Sequence, residues 1–297
     1  MTKKTNIVTN PGLNVKIKNL RGILREMARI LLAFSGGVDS TFLLKIAHEV
    51  LGESVLAVTA VSPIHPAEDY ESACRMARCF NIKHLTIETH ELNNPAFYNN
   101  PPDRCYFCKK GLFQTLHTIA RQENLDFVTD ASTMDDLSDY RPGTAAAQEE
   151  HIRSPLIEAK ITKKEIRTLS QQMGLSTWNK PSMACLASRF PYGEFITLEK
   201  INRIARAENF FRGFGLNQVR VRSHGNLARI EVDAEHIQKL ANPKFREKII
   251  IELKQLGFIY LTIDLEGYRT GSHNEVLRAS GDAKSKKPGA GNILRET

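Results

Sequence analysis

An apolar run, Ile30-Leu31-Leu32-Ala33-Phe34, passes directly into Ser35-Gly36-Gly37-Val38-Asp39-Ser40, and an amphipathic stretch opens at Thr41. This strand–turn–helix order constrains the chain more than any other segment. It sets a turn of bare backbone at a helix N-terminus, where unpaired N–H groups and the helix dipole attract an anion such as phosphate. Gly36 and Gly37 let the main chain approach that anion and take conformations that other residues resist. Ser35 and Ser40 add hydroxyl donors. Asp39 cannot welcome a phosphate, so its expected roles are capping the helix or holding Mg²⁺. The Lys of a Gly-x-x-x-x-Gly-Lys loop is missing, which argues against an ordinary γ-phosphate-cleaving NTPase.

Up to Lys180 the chain alternates between two periodicities. Strand-like runs fall at 29–34, 55–61, 84–89, 127–131 and 152–157, and helix-like stretches at 41–51, 67–80, 105–123, 143–150 and 162–173. Thr162-Lys163-Lys164-Glu165 carries a capping-box signature. Such alternation predicts a doubly wound α/β domain with a parallel sheet, whose ligands sit at the carboxyl ends of the strands. The character changes after Tyr192-Gly193. A helix is expected over 198–213, a hairpin from 218–222 and 228–232, helical segments at 234–240 and 244–256, and a strand at 258–265. The expected division is a nucleotide-binding domain with the cysteines (1–192), a smaller α+β substrate-binding domain (193–280) and a disordered, Gly- and Lys-containing tail (281–297).

The chain has 297 residues, a formal net charge of +8 and no apolar run long enough to span a bilayer. Met1-Thr2-Lys3-Lys4 has no apolar segment behind it, so no signal peptide is expected and the cytoplasm is the default location. The excess charge suits acidic partners such as nucleotides, but part of it lies in the tail, so charge alone does not argue for nucleic acid.

Five cysteines in a reducing compartment are core filler, metal ligands or catalytic groups. Cys105-Tyr106-Phe107-Cys108 opens a helix and puts both sulfurs on one face. The helix N-terminus and Arg104 are expected to favour thiolate there. Zinc, iron–sulfur, a redox dithiol and plain packing all produce this spacing. Cys185 lies in Lys180-Pro181-Ser182-Met183-Ala184-Cys185-Leu186-Ala187-Ser188-Arg189, a segment too irregular for a regular element. With it, three thiolates suit a [4Fe-4S] cluster with one open iron; otherwise Cys185 is a nucleophile beside a redox pair. Cys74 and Cys79 are assigned to packing. Asp130, Asp135, Asp136 and Asp139 are placed to face a nucleotide or Mg²⁺, or else solvent, with Arg141 meeting a phosphate or pairing with those acids. Arg220 and Arg222 alternate with Val219 and Val221, about 7 Å apart on one strand face. They form either a bidentate phosphate site or a salt-bridge ladder with Arg229 and Glu231.

Taken together, Ser35–Ser40, Asp135-Asp136 with Asp139-Tyr140-Arg141-Pro142-Gly143, the Lys180–Gly193 segment, Arg220-Val221-Arg222, Arg229-Ile230-Glu231 and Asp264-Leu265-Glu266-Gly267-Tyr268-Arg269-Thr270-Gly271 resemble the LarE sulfur transferases of nickel-pincer nucleotide synthesis. These belong to the PP-loop enzymes that split ATP to AMP and pyrophosphate. The resemblance implies a carboxylate of a pyridinium-3,5-biscarboxylate mononucleotide adenylylated and then sulfurated. It implies ATP phosphates at Ser35, Gly36, Gly37, Asp39 and Ser40, with Mg²⁺. Cys185 takes the sulfur-donating position, and Cys105, Cys108 and Cys185 match the members that hold a [4Fe-4S] cluster. Arg220 and Arg222 match the substrate-phosphate ligands, with Ser188 and Glu208 nearby. A homo-oligomer follows by the same analogy. The family's Gly-Thr-Asn after Asp130 is replaced here by Ala131-Ser132-Thr133. A tRNA-thiolating enzyme shares the loop, fold and cysteine trio, and a nucleotide-binding regulator that never turns over is a third reading.

Overall fold

The computed structural model describes residues 11–137, 141–181 and 184–279. The expectations for Asp139, Tyr140 and the tail fall outside those residues.

Four strands, β1 (Ile30–Ala33), β2 (Val55–Val61), β3 (Lys83–Glu88) and β4 (Phe127–Thr129), form a parallel sheet in the order β3-β2-β1-β4. In β1 and β2 successive residues serve opposite cores. Ile30, Leu32, Val55 and Ala57 belong to one cluster, and Leu31, Leu56 and Val58 to the other. That is why these strands read as unbroken apolar runs: the period-two alternation divides two buried faces, not core from solvent.

Helices α1 (Pro11–Met27) and α2 (Val38–Leu51) lie on the first face. The sequence reading overlooked α1, whose Leu13, Leu20, Leu24 and Met27 are all buried on one stripe. After β2 comes α3 (Ala67–Cys79), and after β3 come α4 (Pro95–Tyr98) and α5 (Arg104–Gln122). Phe113 and Leu116 of α5 fill the second face. Beyond β4 stand α6 (Pro142–Glu149), α7 (Pro155–Glu158) and α8 (Lys163–Gln172). The expected strand at 152–157 is not one. A single parallel bridge joins Thr129 to Arg153, and Pro155 then opens α7. Proline has no N–H for a ladder and its fixed φ suits a helical first turn, so the pairing ends after one residue. The capping box does form: Glu165 N–H donates to Thr162 Oγ1 at 3.3 Å, and Thr162 N–H to Glu165 Oε2 at 2.8 Å.

The second part contains α9 (Leu198–Gly213), β5 (Val219–His224), β6 (Leu227–Val232), α10 (Ile237–Ala241), α11 (Pro243–Gln255), β7 (Tyr260–Ile263) and α12 (Glu275–Ala279). β5 and β6 are the expected antiparallel hairpin, turning at Gly225-Asn226 with Gly225 at φ +59°, and β7 adds in parallel to β6. Its core recruits Ile64, Phe97, Leu186 and Phe190 from before Tyr192. The segment that carries Cys185 is thereby packed into the second core. Among the described residues no helix is long and apolar enough to cross a membrane.

Candidate active site

The turn between β1 and α2 is shaped by sterics. Gly36 has φ +67°, and a Cβ on it would stand 2.8 Å from the backbone N of Ala73 in α3. Glycine is therefore required twice, by conformation and by close approach. Gly37 is the N-cap of α2, and no side chain hydrogen-bonds there as a cap. Ser35 Oγ lies 3.1 Å from Ser40 Oγ, and Gly37 N–H reaches Ser35 Oγ only at 3.4 Å. The first N–H groups of α2 are thus left for a ligand. Asp39 does not cap the helix, as one expectation had it, because it stands inside the first turn. Burial lifts its pKa from 3.8 to about 6, with Lys163 and Arg167 pulling it down and Asp136 and Asp135 adding to the rise. A desolvated carboxylate of this kind suits a cation.

The loop opens into a cavity of about 1030 Å³ beyond the carboxyl ends of β1, β2 and β4. Ser35, Gly37, Asp39 and Ser40 form one wall; Lys163, Arg167 and Lys180 bring cations, and Cys185 lies on the same surface. So do Asn202, Ala205, Asn209 and Arg212, one stripe of α9. The sequence reading missed this stripe, along with Lys163, Arg167 and Lys180. The 3-4-3 spacing from 202 to 212 was the available signal, but it is polar and reads as a solvated helix face.

The acids after β4 organise this wall. Asp130 accepts from Ser132 Oγ at 2.6 Å, Ser132 N–H at 3.1 Å and Ser154 Oγ at 2.7 Å. Asp135 accepts from Lys163 N–H at 2.8 Å. Asp136 accepts from Thr133 N–H and Oγ1, both at 2.9 Å, and pairs with Lys163 and Arg141 at 2.7 Å each. Burial opposes its charge, but those donors overcome it and hold the carboxyl below its usual range. Ser132 and Thr133 are thus used to close the loop itself.

Cys105, Cys108 and Cys185 are brought together. Each of the other two thiols raises the pKa of Cys108, and Cys185 raises that of Cys105. The expected thiolate is not what this environment favours. Although part of Cys105 meets solvent, desolvation outweighs Arg104, whose guanidinium is turned onto Asn100 Oδ1 at 2.7 Å and the Tyr192 ring. For Cys108 burial is the largest cause, followed by Glu91, whose carboxylate lies 4.0 Å from the sulfur. The donors fit an iron–sulfur group in type, being three soft sulfur ligands. Among the described residues no three His, Cys, Asp or Glu side chains already converge as a metal-ion site. Cys79 is exposed and does not pack in the core, whereas Cys74 is half-buried.

Arg220 and Arg222 of the hairpin are not among the residues that line the cavity and stand in a buried ionic network. Arg222 clasps Glu231 with two bonds of 2.9 Å and donates to Ser188 O at 2.8 Å. Glu208, fully buried, accepts from Arg189 at 2.8 and 3.0 Å, Arg212 at 3.0 Å and Val221 N–H at 3.1 Å. Burial pushes the Glu208 carboxyl up, yet Arg189, Arg220 and Arg212 outweigh it and leave it below its usual range. Arg220 donates to Val219 O at 2.8 Å and lies over the Tyr268 ring at 5.2 Å. Burial, then Arg189, lowers its pKa to about 10. The ladder, one of the two expectations, is therefore present, and it is buried rather than open to solvent. Ser188 Oγ donates to Cys185 O at 2.9 Å, which ties the network to the cysteine.

Comparison with known proteins accords with this layout. A family model described as NAD synthase matches residues 15–101. The chain is 48% identical over 265 residues to an uncharacterized protein of Synechocystis sp., covering 89% of this chain and 99% of that one. An uncharacterized protein of Methanocaldococcus jannaschii is 32% identical over 256 residues, 86% of this chain and 97% of its own. The pyridinium-3,5-bisthiocarboxylic acid mononucleotide synthase of Lactiplantibacillus plantarum is 37% identical over 268 residues, 89% of this chain and 96% of its own. With a glycine loop at a bare helix N-terminus beside a parallel sheet, and with this identity over nearly the full length of both chains, the protein belongs to the LarE-type family of PP-loop proteins.

Proposed function

We propose that this chain is an ATP-dependent sulfur transferase that adenylylates a carboxylate of pyridinium-3,5-biscarboxylic acid mononucleotide and exchanges carboxylate oxygen for sulfur. The observation that carries the reading is the single cavity joining the bare N-terminus of α2 to Cys185. A carboxylate oxygen attacks the α-phosphorus of ATP, and the bond to pyrophosphate breaks. The α2 N–H groups, Ser35 and Ser40 hold the departing pyrophosphate, whose charge they offset. Asp39 is the group to hold Mg²⁺ there, since a cation relieves its desolvated charge. A sulfur nucleophile at the Cys185 end then adds to the acyl carbon, and AMP leaves with the original carboxylate oxygen.

Cys105, Cys108 and Cys185 are the residues to hold a [4Fe-4S] cluster, which supplies an iron position open to sulfide. Arg220 and Arg222 are the substrate-phosphate ligands in this reading. Two observations support that role: the desolvation of Arg220 next to a second cation, and the bonds by which Ser188 and Glu208 fix their surroundings.

Anaerobic purification with an iron count, followed by ATP and the biscarboxylate mononucleotide, tests the reading. Pyrophosphate release that requires both compounds, and a product in which oxygen has become sulfur, are expected. Iron should fall in Cys105→Ala. No pyrophosphate, or release indifferent to the carboxylate, overturns the activity. A wild-type chain without iron returns sulfur donation to Cys185 itself.

A further inference from the structure

Three segments distant in sequence meet at one ammonium group. Lys180 Nζ donates to Gly36 O at 3.2 Å and pairs with the Asp69 carboxylate of α3 at 3.0 Å, both side chains being largely buried. Gly36 is at the same time pressed against α3, where the Ala73 backbone leaves no room for a Cβ. The nucleotide loop, α3 and the start of the Cys185 segment are therefore fastened together. Upstream slack is removed by Arg167 of α8, which donates to Trp178 O and Lys180 O at 2.9 Å each. Pro181 stiffens the next step by fixing its φ.

The far end of the segment is fastened elsewhere. Arg189, buried in its pairing with Glu208 of α9, donates to Ala184 O at 2.8 Å and Cys185 O at 3.1 Å. Leu186 N–H donates to Ile64 O at 2.7 Å. Cys185 thus lies, in sequence, five residues after Lys180, which is bonded to the nucleotide loop, and four before Arg189, which is bonded within the second core. Of the two anchors, Arg189–Glu208 is closed off from the cavity, whereas Lys180 lines it beside the open N–H groups of α2. A polyphosphate bound there competes directly with Asp69 and Gly36 O for the ammonium. Of the two, Lys180 is the anchor whose own side chain faces what the loop holds, whereas the second meets the cavity through Arg212.

We propose that Lys180 is a positioning residue that couples occupancy of the nucleotide loop to the placement of the Cys185 segment. Through it, phosphate in the loop is registered at the residue where sulfur chemistry is sited, so activation and sulfur delivery are kept in order. The inference rests on the nucleotide-binding part of the reading above. Its chemistry is charge exchange at one ammonium group: bonds to Asp69 and Gly36 O give way to bonds with phosphate oxygens.

Hydrogen exchange of the full chain, followed by mass spectrometry on peptides spanning 184–190, tests this with and without Mg²⁺ and a non-hydrolysable ATP analogue. Calorimetry measures binding in parallel. In the wild-type chain saturation with the analogue should change exchange of this segment about fivefold or more, the lower end of ordinary coupling between sites. In Lys180→Ala the change should vanish at saturating analogue, and in Lys180→Arg, which keeps the charge, it should persist. A role confined to stability would lower the melting temperature and leave the nucleotide-induced difference intact. That difference surviving in Lys180→Ala overturns the proposal, and so does a wild-type chain that binds the analogue with no change at 184–190. Failure of the wild type to bind any nucleotide would instead remove the reading beneath it. Should Lys180→Ala not fold, Asp69→Asn is the second variant. It frees the ammonium, and exchange of 184–190 without nucleotide should then move toward the wild-type bound value; an unchanged rate counts against the coupling.

Discussion

The nucleotide loop and the arginine network are both built to meet anions, and they are built in opposite ways. The loop uses backbone: a positive-φ glycine, a helix start with no side-chain cap, and hydroxyls that barely engage it. The network uses charged side chains that are already paired and almost wholly buried, Arg189 with Glu208 and Arg222 with Glu231. The first is left unsatisfied and waits for a ligand. These pairs are satisfied internally, and they hold the hairpin, the Cys185 segment and α9 in one arrangement around Arg220 and Arg222, the proposed substrate-phosphate ligands. Loss of a loop residue should therefore damage binding more than folding, and loss of a carboxylate that pairs within the network, such as Glu208, should do the reverse.

The sharpest way to break that contrast is Glu208→Ala. It strands Arg189 without its partner in a buried site, and removing one member of such a pair ordinarily costs about 3–5 kcal/mol. Urea denaturation should show this loss, while replacing both residues by apolar ones of similar volume should restore much of it. If Glu208→Ala were nearly neutral in stability, the network would not be structural. Gly36→Ala is the converse. Strain at φ +67° and the contact with Ala73 should displace the loop. Calorimetry should then show binding weaker by ~2–3 kcal/mol, roughly 30- to 150-fold in Kd. The urea midpoint should move less than in Glu208→Ala.

The same contrast explains what could be read from the sequence. The loop was legible because its ingredients are consecutive: an apolar strand, two glycines and a helix start determine each other locally. The sheet's buried strands and the capping box at Thr162 were legible for the same reason. The network was not. Arg220 and Arg222 could be placed on a strand, but whether they faced water or Glu231 depended on packing by α9 and by residues after β7. Arg189 with Glu208 and Lys180 with Gly36 are long-range pairings with no local mark, and the α9 stripe had a local period but a polar one that reads as a solvated face. The 152–157 segment failed differently, since Pro155 forbade the strand and its meaning was available. Helix α1 was also legible in principle from the period of Leu13, Leu20, Leu24 and Met27.

A pH titration probes how the network is closed. The Ser272–Asn274 turn lies against it: Arg222 donates to Ser272 Oγ at 3.2 Å, and Tyr192 Oη to Asn274 Oδ1 at 2.8 Å. Between them the His273 ring packs, tilted by 53°, against Tyr192 with centroids 4.3 Å apart. Burial, then Arg104, Arg222, Arg189 and Arg229, lower its pKa from 6.5 to about 3. A folded-state value below the unfolded one means protons bind the unfolded chain better. The stabilisation is present above pH 6.5 and is lost progressively as pH falls toward 3. Between pH 7 and pH 5 the loss should be about 2 kcal/mol from this group, since each pKa unit is worth about 1.4 kcal/mol. His273→Gln should flatten that part of the stability–pH curve. An unchanged slope would mean that the turn opens freely and does not close the network.

The smallest effect comes from a third way of treating a helix start. Helix α8 begins at the same cavity, which its first residue Lys163 lines, and its N-terminal N–H groups are answered by its own capping box, Thr162 with Glu165. Lys16 further pins Glu165 at 2.8 Å from α1. Helix α2 has no such side chain, although a serine or aspartate at Gly37 would readily supply one. Removing the cap of α8 with Thr162→Val should cost about 1 kcal/mol in urea denaturation, the usual worth of an N-cap. Nucleotide affinity should not change, because that helix start is closed to ligands already. Adding a cap to α2 with Gly37→Asp should instead raise stability slightly and weaken nucleotide binding, since the new carboxylate would occupy the N–H groups and repel phosphate. If Thr162→Val weakened nucleotide binding as much as Gly37→Asp, the bare start of α2 would not be the phosphate site, and the division of labour between open backbone and paired side chains would fall with it.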